Sequence, residues 1–352
     1  MNQETIKSAL KKVKYPGFSR DIISFGLLRN INIQNQNVIV NLEINSPDPK
    51  LPLTLKKAVE NELLMLDKIG EIEVRINVKS PTSSANKETG KLDVNTQLQK
   101  VQRIVAIASG KGGVGKSTFT VNLACALKDT LSHLGKSNKI GIMDCDIYGP
   151  SIPLMIGIND QPKIENNQIQ PLENFGIRVM SMGFLIDENT PVVWRGPMVT
   201  QTITQFVNTV HWGELDFLLI DLPPGTGDAQ LTVVQTMSLD GAIIITTPQI
   251  AAFNVARRGA TMFGKVNVPI LGVVENMSFL ELPQSTERHY IFGRGGGEKT
   301  ALELDTKLLG QVPLYEGIRV GCDNGIPIVV GEPQSSPTNA YKIIAENLIK
   351  SI

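Results

Sequence analysis

Five short apolar runs recur along the second part of the chain, and they constrain its fold more than any other feature. They read IVAIAS, KIGIMD, FLLID, GAIIITT and ILGVVEN, and more polar stretches separate them. Nearly continuous apolar runs of this length are typical of strands buried on both faces of a parallel sheet, with helices covering the two faces. The pattern therefore predicts a doubly wound, mostly parallel α/β domain over residues 101–352.

Residues 1–79 follow a different pattern. NVIVNLEIN and IEVRINV both alternate apolar and polar residues, so both are predicted to be half-buried strands. One helix with an apolar face is predicted near the N-terminus, and a second is predicted between the strands, ending at Gly70. Residues 80–100 are rich in Ser, Thr, Asn and Lys and are predicted to be a flexible linker. We thus expect a small α+β domain, a linker and an α/β domain.

Charge and cysteine content exclude several classes of function. Lys and Arg together number 34, as do Asp and Glu, so no net positive field favours nucleic acid as a partner. No apolar run approaches the roughly 20 residues of a membrane span, and the N-terminus lacks the apolar stretch of a signal peptide, so we expect no membrane partner. The three cysteines are odd in number and far apart, which predicts reduced thiols and a cytoplasmic location. Cys125 and Cys145 are expected to pack in the core.

The segment GKGGVGKST joins the first apolar run of the α/β part to a predicted helix. In this context the glycines let successive backbone N–H groups face phosphate oxygens, and the helix N-terminus adds partial positive charge. Lys116 is expected to reach the β- and γ-phosphates, and the Ser117 hydroxyl is expected to bind Mg²⁺. The predicted nucleotide-binding residues of this loop are Gly110, Lys111, Gly112, Gly113, Val114, Gly115, Lys116, Ser117 and Thr118.

Carboxylates follow two further apolar runs, at the edge of the sheet where nucleotide chemistry takes place. Asp144 and Asp146 are one residue apart, so on an extended strand their side chains would share one face, an arrangement that suits a metal and its water shell. A turn-capping role for Asp144 is the alternative. Asp221 ends the run FLLID, the Walker B position, and is expected to hold Mg²⁺ through water. The predicted magnesium residues are therefore Ser117, Asp144 and Asp221.

Several segments together carry a family resemblance that covers nearly the whole chain. The loop KGGVGKST resembles the deviant Walker A loop of the MinD/ParA/nitrogenase iron protein class. With DCDIYGPS, WRGPM, LLIDLPPGTGD, TTPQ, ENMS, YIFGRGGG and DNGIPIV, the chain closely resembles the Mrp/NBP35 (ApbC-like) branch of that class, which consists of iron-sulfur cluster carrier ATPases. The N-terminal unit resembles the small iron-sulfur assembly domain (MIP18-like) often fused ahead of this ATPase.

The resemblance implies an ATP-hydrolysing homodimer. In this class the early lysine, here Lys111, reaches across the dimer onto the partner's nucleotide, where a cation neutralises charge that develops in phosphoryl transfer. A plain surface lysine is the alternative. Lys116 and Asp146 complete the implied catalytic residues, Asp146 by helping to position the attacking water in switch I. Asn276 is expected to read the adenine edge, with Pro313 near the base.

The chain departs from the family at the cluster ligands. Members that carry a bridging cluster usually show a Cys-x-x-Cys pair shortly after ENMS, whereas an ungapped alignment places Leu282 and Ser285 at those positions. Leucine cannot ligate iron. Cys322 is the only loop-like cysteine, and with help from His289 or external thiols it is the candidate cluster ligand.

Three functions are therefore weighed. The leading one is a dimeric ATPase, with ATP and Mg²⁺ as cofactors, that carries iron-sulfur clusters and transfers them to apoprotein clients in company with iron-sulfur assembly proteins. The second is a nucleotide-switched assembly adaptor that holds no cluster itself, which the missing cysteine pair favours. The third is a positioning ATPase of the MinD or ParA kind, which would act on a membrane or nucleoid.

Overall fold

The computed structural model of the chain describes residues 3–16, 21–23, 27–34, 37–44, 51–66, 69–78, 98–146, 149–166, 168–185, 196–225, 228–249, 259, 262–282 and 287–352. The chain divides into two compact units: Met1–Asp93 with Leu185–Gln201, and Val94–Phe184 with Thr202–Ile352. The predicted linker, residues 80–100, lies outside the described residues except for a turn at 98–100.

The first unit is a small α+β structure in which two helices and a three-stranded sheet share one core. Its elements are helix α1 (Gln3–Leu10), strands β1 (Leu28–Gln34) and β2 (Asn37–Ile44), helix α2 (Leu51–Leu64) and strand β3 (Ile72–Val78). The central strand, β2, is antiparallel to β1 and parallel to β3. The buried side chains of β2 are Val38, Val40, Leu42 and Ile44, as its alternating sequence predicted.

Helix α2 is shorter than its sequence pattern predicted. It ends at Leu64 rather than at Gly70. The last buried residue of its apolar face is Leu63, whereas Leu64 and Met65 are 65% and 78% exposed. The backbone N–H of Leu66 then bonds the Leu63 carbonyl at 3.0 Å, which closes a final turn. Beyond Leu64 the apolar side chains of Leu66 and Ile69 still pack against the core, but they do so outside the helix, so the apolar pattern overstated the length of the helix.

The second unit is built on an eight-stranded sheet in the order β15-β12-β11-β4-β10-β5-β9-β8, which is parallel except for the edge strand β8. These strands are β4 (Val101–Ser109), β5 (Ile140–Asp144), β8 (Leu172–Asn174), β9 (Ile177–Ser181), β10 (Leu215–Asp221), β11 (Gly241–Thr246), β12 (Ile270–Glu275) and β15 (Leu308–Gln311). Two small ribbons pair β6 (Ile164–Glu165) with β7 (Gln168–Ile169) and β13 (Leu280–Glu281) with β14 (Arg288–His289). Strands β5, β10 and β11 are buried along their whole length, as expected of a doubly wound sheet.

Helices flank this sheet. They are α3 (Lys116–His133), α4 (Ile152–Met155), a 3₁₀ turn (Met182–Leu185), α6 (Asp228–Thr236), α7 (Gly296–Glu303), α8 (Glu316–Asp323), α9 (Ile328–Gly331) and α10 (Ser336–Ile349). Helix α5 (Gly196–Thr209) contributes residues to both units, which divide after Gln201. Helix α10 packs on α3, with the rings of Phe119 and Tyr341 5.8 Å apart. Among the described helices, none has both the length and the apolarity needed to cross a bilayer.

The strand order places a topological switch point beside β4. The chain passes from β4 to β5 on one side of it and later forms β11 on the other side, so the loops after β4 and β11 diverge. Ligands bind in the crevice that such divergence opens. The parallel register sets Asp221 level with Ile107 of β4 and Asp144 of β5. The fold thus brings both carboxylates to the edge from which the glycine loop leaves.

Candidate nucleotide-binding site

The glycine loop forms the wall of a cavity of about 210 Å³ at the end of β4. Its lining consists of Ser109, Lys111, Gly112, Gly113, Val114, Gly115, Lys116, Ser117, Thr118, Asp146, Ser151, Met155 and Pro224. Every predicted loop residue except Gly110 is in this lining. Gly113 and Gly115 have φ values of 77° and 75°, the left-handed region that glycine adopts without strain. The loop therefore curls around a space suited to phosphate.

Lys116 and Ser117 both contact one carboxylate oxygen. The Lys116 Nζ lies 2.7 Å from Asp221 Oδ2, and this ion pair is almost fully buried, with 6% and 0% of the two side chains exposed. The Ser117 hydroxyl donates to the same Oδ2 at 2.6 Å. The sequence predicts Ser117 and Asp221 as magnesium residues and Lys116 as a phosphate ligand, and the fold joins all three side chains into one cluster. Two hard oxygen donors, Ser117 Oγ and Asp221 Oδ2, lie side by side there and fit Mg²⁺.

Thr120 is a further part of this cluster that sequence reasoning missed. Its hydroxyl lies 2.8 Å from Asp221 Oδ1 and 3.0 Å from the Lys116 carbonyl oxygen, and the side chain is fully buried. The spacing of four residues from Lys116 on helix α3 was the available signal, because it puts both side chains on one helical face. Thr120 fixes the orientation of the Asp221 carboxylate.

Asp144 and Asp146 have different surroundings, contrary to the expectation that they share one face of a strand. Strand β5 ends at Asp144, whose carboxylate accepts hydrogen bonds from the Ser181 hydroxyl at 2.8 Å and from the Asp146 backbone N–H at 3.0 Å. The second bond is the short local contact that turns the chain, so Asp144 does cap a turn. Asp146 lies beyond that turn and lines the cavity.

Complete burial dominates the electrostatics of Asp144. It raises the pKa of this carboxyl to about 7, and the nearby Asp221 charge acts in the same direction. The hydrogen bond from Ser181 and the charge of Lys116 oppose the shift. Because the carboxylate of Asp144 is not among the cavity-lining groups, its assignment as a magnesium residue stays a prediction.

Lys111 extends away from the Lys116 cluster. Its Nζ donates to the side-chain oxygen of Gln249 at 2.8 Å, and its own carbonyl accepts from the Ser109 hydroxyl at 3.0 Å. Gln249 belongs to the TTPQ segment that follows β11. Sequence reasoning noted that segment but gave Gln249 no role, since the two partners are 138 residues apart. The expected reach of Lys111 across a dimer stays a prediction.

Asn276 and Pro313, the predicted adenine contacts, lie on neighbouring segments. The Asn276 side-chain amide donates to the Val114 carbonyl of the glycine loop at 2.8 Å, and Asn276 is only 6% exposed. The Val312 backbone N–H bonds the Glu275 carbonyl at 2.9 Å, so Pro313 and Asn276 follow directly after two hydrogen-bonded residues. Neither residue lines the phosphate cavity. Asn276 supports the loop directly, and adenine recognition stays a prediction for both residues.

Cys322 is not in a loop, which corrects the sequence interpretation. It lies in helix α8 and is 5% exposed, and burial raises the pKa of its thiol, which also hydrogen-bonds Thr118. Cys125 and Cys145 are buried as expected, and burial raises the pKa of Cys125 to about 12. Leu282 is 44% exposed, and Ser285 lies outside the described residues. Within the described ranges no three His, Cys, Asp or Glu side chains form a metal-binding group.

Two family models match the chain. Residues 100–349 match the model described as NUBPL iron-transfer P-loop NTPase. Residues 3–76 match the model described as iron-sulfur cluster assembly protein. The two matched segments correspond to the α/β unit and the small α+β unit.

Similar proteins match over most of their length. An iron-sulfur cluster carrier protein from Synechocystis sp. is 39% identical over 354 residues, which cover 99% of this chain and 97% of the relative. One of the same description from Helicobacter pylori is 37% identical, covering 99% and 92%. The iron-sulfur cluster transfer protein NUBPL of Mus musculus is 46% identical over 256 residues, covering 72% and 79%.

Solved structures resemble the second unit. A nucleotide-binding protein from Archaeoglobus fulgidus in complex with ADP is 36% identical with a TM-score of 0.59, covering 70% of this chain and 94% of that one. The cell division ATPase MinD of Pyrococcus furiosus is 24% identical with a TM-score of 0.53, covering 72% and 100%. The second similarity concerns the fold alone, and it agrees with the doubly wound architecture.

Proposed function

Because the chain belongs to the family of NUBPL iron-transfer P-loop NTPases and carries an iron-sulfur cluster assembly domain, we propose that it is an ATP-driven carrier that transfers iron-sulfur clusters to apoproteins. The family resemblance predicted from the motifs is confirmed by relatives matched along the whole chain. The observation that carries the ATPase part of the proposal is the buried cluster of Lys116, Ser117 and Asp221 under the glycine loop.

The residues of the cavity divide the work of ATP hydrolysis. The loop N–H groups and Lys116 bind the phosphates. Ser117 and Asp221 would hold Mg²⁺, which would supply positive charge to the phosphates. Asp146 presents a carboxylate to the same cavity and holds the attacking water. Asp144 acts behind them, because its bond to the Asp146 N–H keeps the turn in place.

ATP closes a homodimer in this proposal, with Lys111 of each protomer directed to the other's nucleotide. Support comes from the position of Lys111 in the lining of the phosphate cavity, while its ammonium bonds Gln249 instead of the carboxylate of Asp221. Lys111→Ala should therefore bind ADP as the unaltered protein does but lose ATP-dependent dimerisation and turnover. Equilibrium ADP binding, sedimentation with a non-hydrolysable ATP analogue, and phosphate release measure the three properties. Normal turnover by Lys111→Ala would refute the cross-dimer role.

The iron-sulfur cluster is the cargo of the carrier, and the three cysteines are the candidate ligands for it. All three are buried, and burial raises the pKa of each thiol, whereas a cluster needs thiolates. Their free, buried state supports the cytoplasmic location that forms part of the same proposal. This burial also favours a second candidate function, an ATP-switched assembly adaptor that binds clients and holds no cluster.

Anaerobic reconstitution with iron and sulfide separates the two candidates. The full chain, with and without ATP, is compared with a Cys322→Ser variant by visible absorption and iron content per dimer. Stable charge-transfer absorption that the variant lacks would support a carrier in which α8 moves to release the Cys322 thiol. Absorption no higher than in a protein-free control would refute cluster binding and leave the adaptor.

A further inference from the structure

Gln249 occupies a position that no part of the hydrolysis scheme yet uses. Strand β11 runs parallel to β4 with Ile245 level with Ser109, so the segment after β11 passes beside the start of the glycine loop. At that point the side-chain oxygen of Gln249 accepts the 2.8 Å hydrogen bond from the Lys111 ammonium. The contact joins the two loops that diverge at the switch point of the sheet.

We infer that Gln249 is a positioning residue that orients Lys111 for the partner's nucleotide, an inference that rests on the dimer of the proposed function. A lysine side chain has four rotatable carbon–carbon bonds, and an exposed one samples many rotamers. If Lys111 is already held in one rotamer before the protomers meet, the closing of the dimer does not have to restrict this side chain at a cost in conformational entropy. The hydrogen bond to Gln249 restricts Lys111 in this way while the protein is still a single protomer.

The chemical type of the acceptor supports the inference. Lys116, the other lysine of the loop, forms an ion pair with the carboxylate of Asp221 within the same protomer. Lys111 bonds a neutral amide oxygen, and among the described residues no carboxylate lies within ion-pair distance of it. An amide holds an ammonium group in place yet leaves its full charge to act on another anion. This is the property required of a cation that must serve the phosphates of a second protomer.

A double-mutant cycle on the full chain tests the inference. Gln249→Met keeps the length of the side chain and removes the oxygen acceptor, and Lys111→Ala removes the ammonium. We expect Gln249→Met to lower kcat for ATP about 10-fold, the effect of losing one charge-assisted hydrogen bond. KM for ATP and ADP affinity should stay within about twofold, because they depend on Lys116 and the loop N–H groups. In the Lys111→Ala background only residual turnover remains, and Gln249→Met should not lower that residual kcat further.

The outcomes separate this inference from the proposed function. A Gln249→Met variant that turns over normally, or whose effect persists fully in the Lys111→Ala background, would overturn the positioning role while leaving the dimer proposal intact. Unchanged ADP affinity serves as the control for folding, so weakened ADP binding by Gln249→Met would also count against the inference. If Lys111→Ala alone hydrolyses ATP normally, the proposed cross-dimer function itself is wrong, and the inference falls with it.

Discussion

Glycine is required for two physical reasons at position 115 of the loop, but for only one of them at position 113. Gly113 and Gly115 have almost the same backbone conformation, with φ of 77° and 75°. A Cβ on Gly113 would meet no heavy atom within 4 Å, whereas a Cβ on Gly115 would lie 2.5 Å from the side-chain nitrogen of Asn276. Alanine at either position introduces the same left-handed strain, and only alanine at 115 must also displace Asn276.

The expected magnitudes follow from these contacts. Left-handed strain on alanine costs roughly 1–2 kcal/mol, and this applies to Gly113→Ala and Gly115→Ala alike. Displacing Asn276 breaks its 2.8 Å bond to the Val114 carbonyl inside a buried site. Leaving such a buried group unsatisfied costs about 1–3 kcal/mol more. Gly115→Ala should therefore destabilise the nucleotide-free protein by about 1–3 kcal/mol more than Gly113→Ala.

Urea unfolding followed by tryptophan fluorescence measures the difference, because Trp212 is fully buried in the α/β unit. The decisive comparison repeats both glycine substitutions in an Asn276→Ala background, where the side chain that clashes is absent. There the two alanine variants should be equally stable. If Gly115→Ala is no worse than Gly113→Ala in the unaltered protein, or if their difference persists without the Asn276 amide, the contact argument is refuted.

Three more predictions concern the carboxylates beside the loop. Lys116→Ala leaves buried Asp221 without its cation, so hydrolysis should vanish, ADP affinity should fall in calorimetry, and the nucleotide-free protein should lose roughly 3–5 kcal/mol of stability in urea. Thr120→Val removes the hydroxyl 2.8 Å from Asp221 and should raise the Mg²⁺ concentration needed for half-maximal turnover. Thr120→Ser keeps a hydroxyl and should need the same Mg²⁺ concentration as the unaltered protein. Equal Mg²⁺ dependence of the two variants would contradict the role of this contact. Burial raises the pKa of Asp144 from 3.8 to about 7, so the folded protein binds this proton more tightly than the unfolded chain does. The resulting contribution to the free energy of unfolding is on the order of a few kcal/mol. It is fully present below about pH 4 and is lost as the pH rises through 7. Asp144→Asn should flatten this dependence in urea midpoints measured at pH 5 and pH 8, and an unchanged slope would show that another group titrates.

The phosphate loop could be predicted from sequence because its determinants are local. Nine consecutive residues, 110–118, carry four glycines, two lysines and the hydroxyls of Ser117 and Thr118. Strand β4 ends immediately before them, and helix α3 begins within them at Lys116. The position of Asp221 could be predicted equally well, since it ends a run of apolar residues that is buried throughout. For such features the residues that act together are neighbours in the sequence as well as in the structure.

Errors arose where a short range of sequence allowed two conformations. Asp144 and Asp146 would share a face only if the strand continued, but the Asp144 carboxylate bonds the Asp146 N–H and ends it. Cys322 was assigned to a loop because GCDNGIP contains turn residues, yet helix α8 continues to Asp323 and buries the thiol against Thr118. At Asp144 a side-chain hydrogen bond ends the strand, and at Cys322 the helix continues for one residue beyond the cysteine.

By itself, the sequence determined the buried strands, the helices between them, the phosphate loop and the membership of a family of iron-transfer P-loop NTPases, because periodicity and consecutive motifs are properties of neighbouring residues. Only the tertiary structure decided that Lys116, Ser117 and Thr120 converge on Asp221, that Asn276 supports Val114, and that Gln249 holds Lys111. The partners in these contacts are 101 to 162 residues apart. Strand order alone brings such distant segments together, and strand order is set by how whole faces pack, which no short stretch of residues encodes.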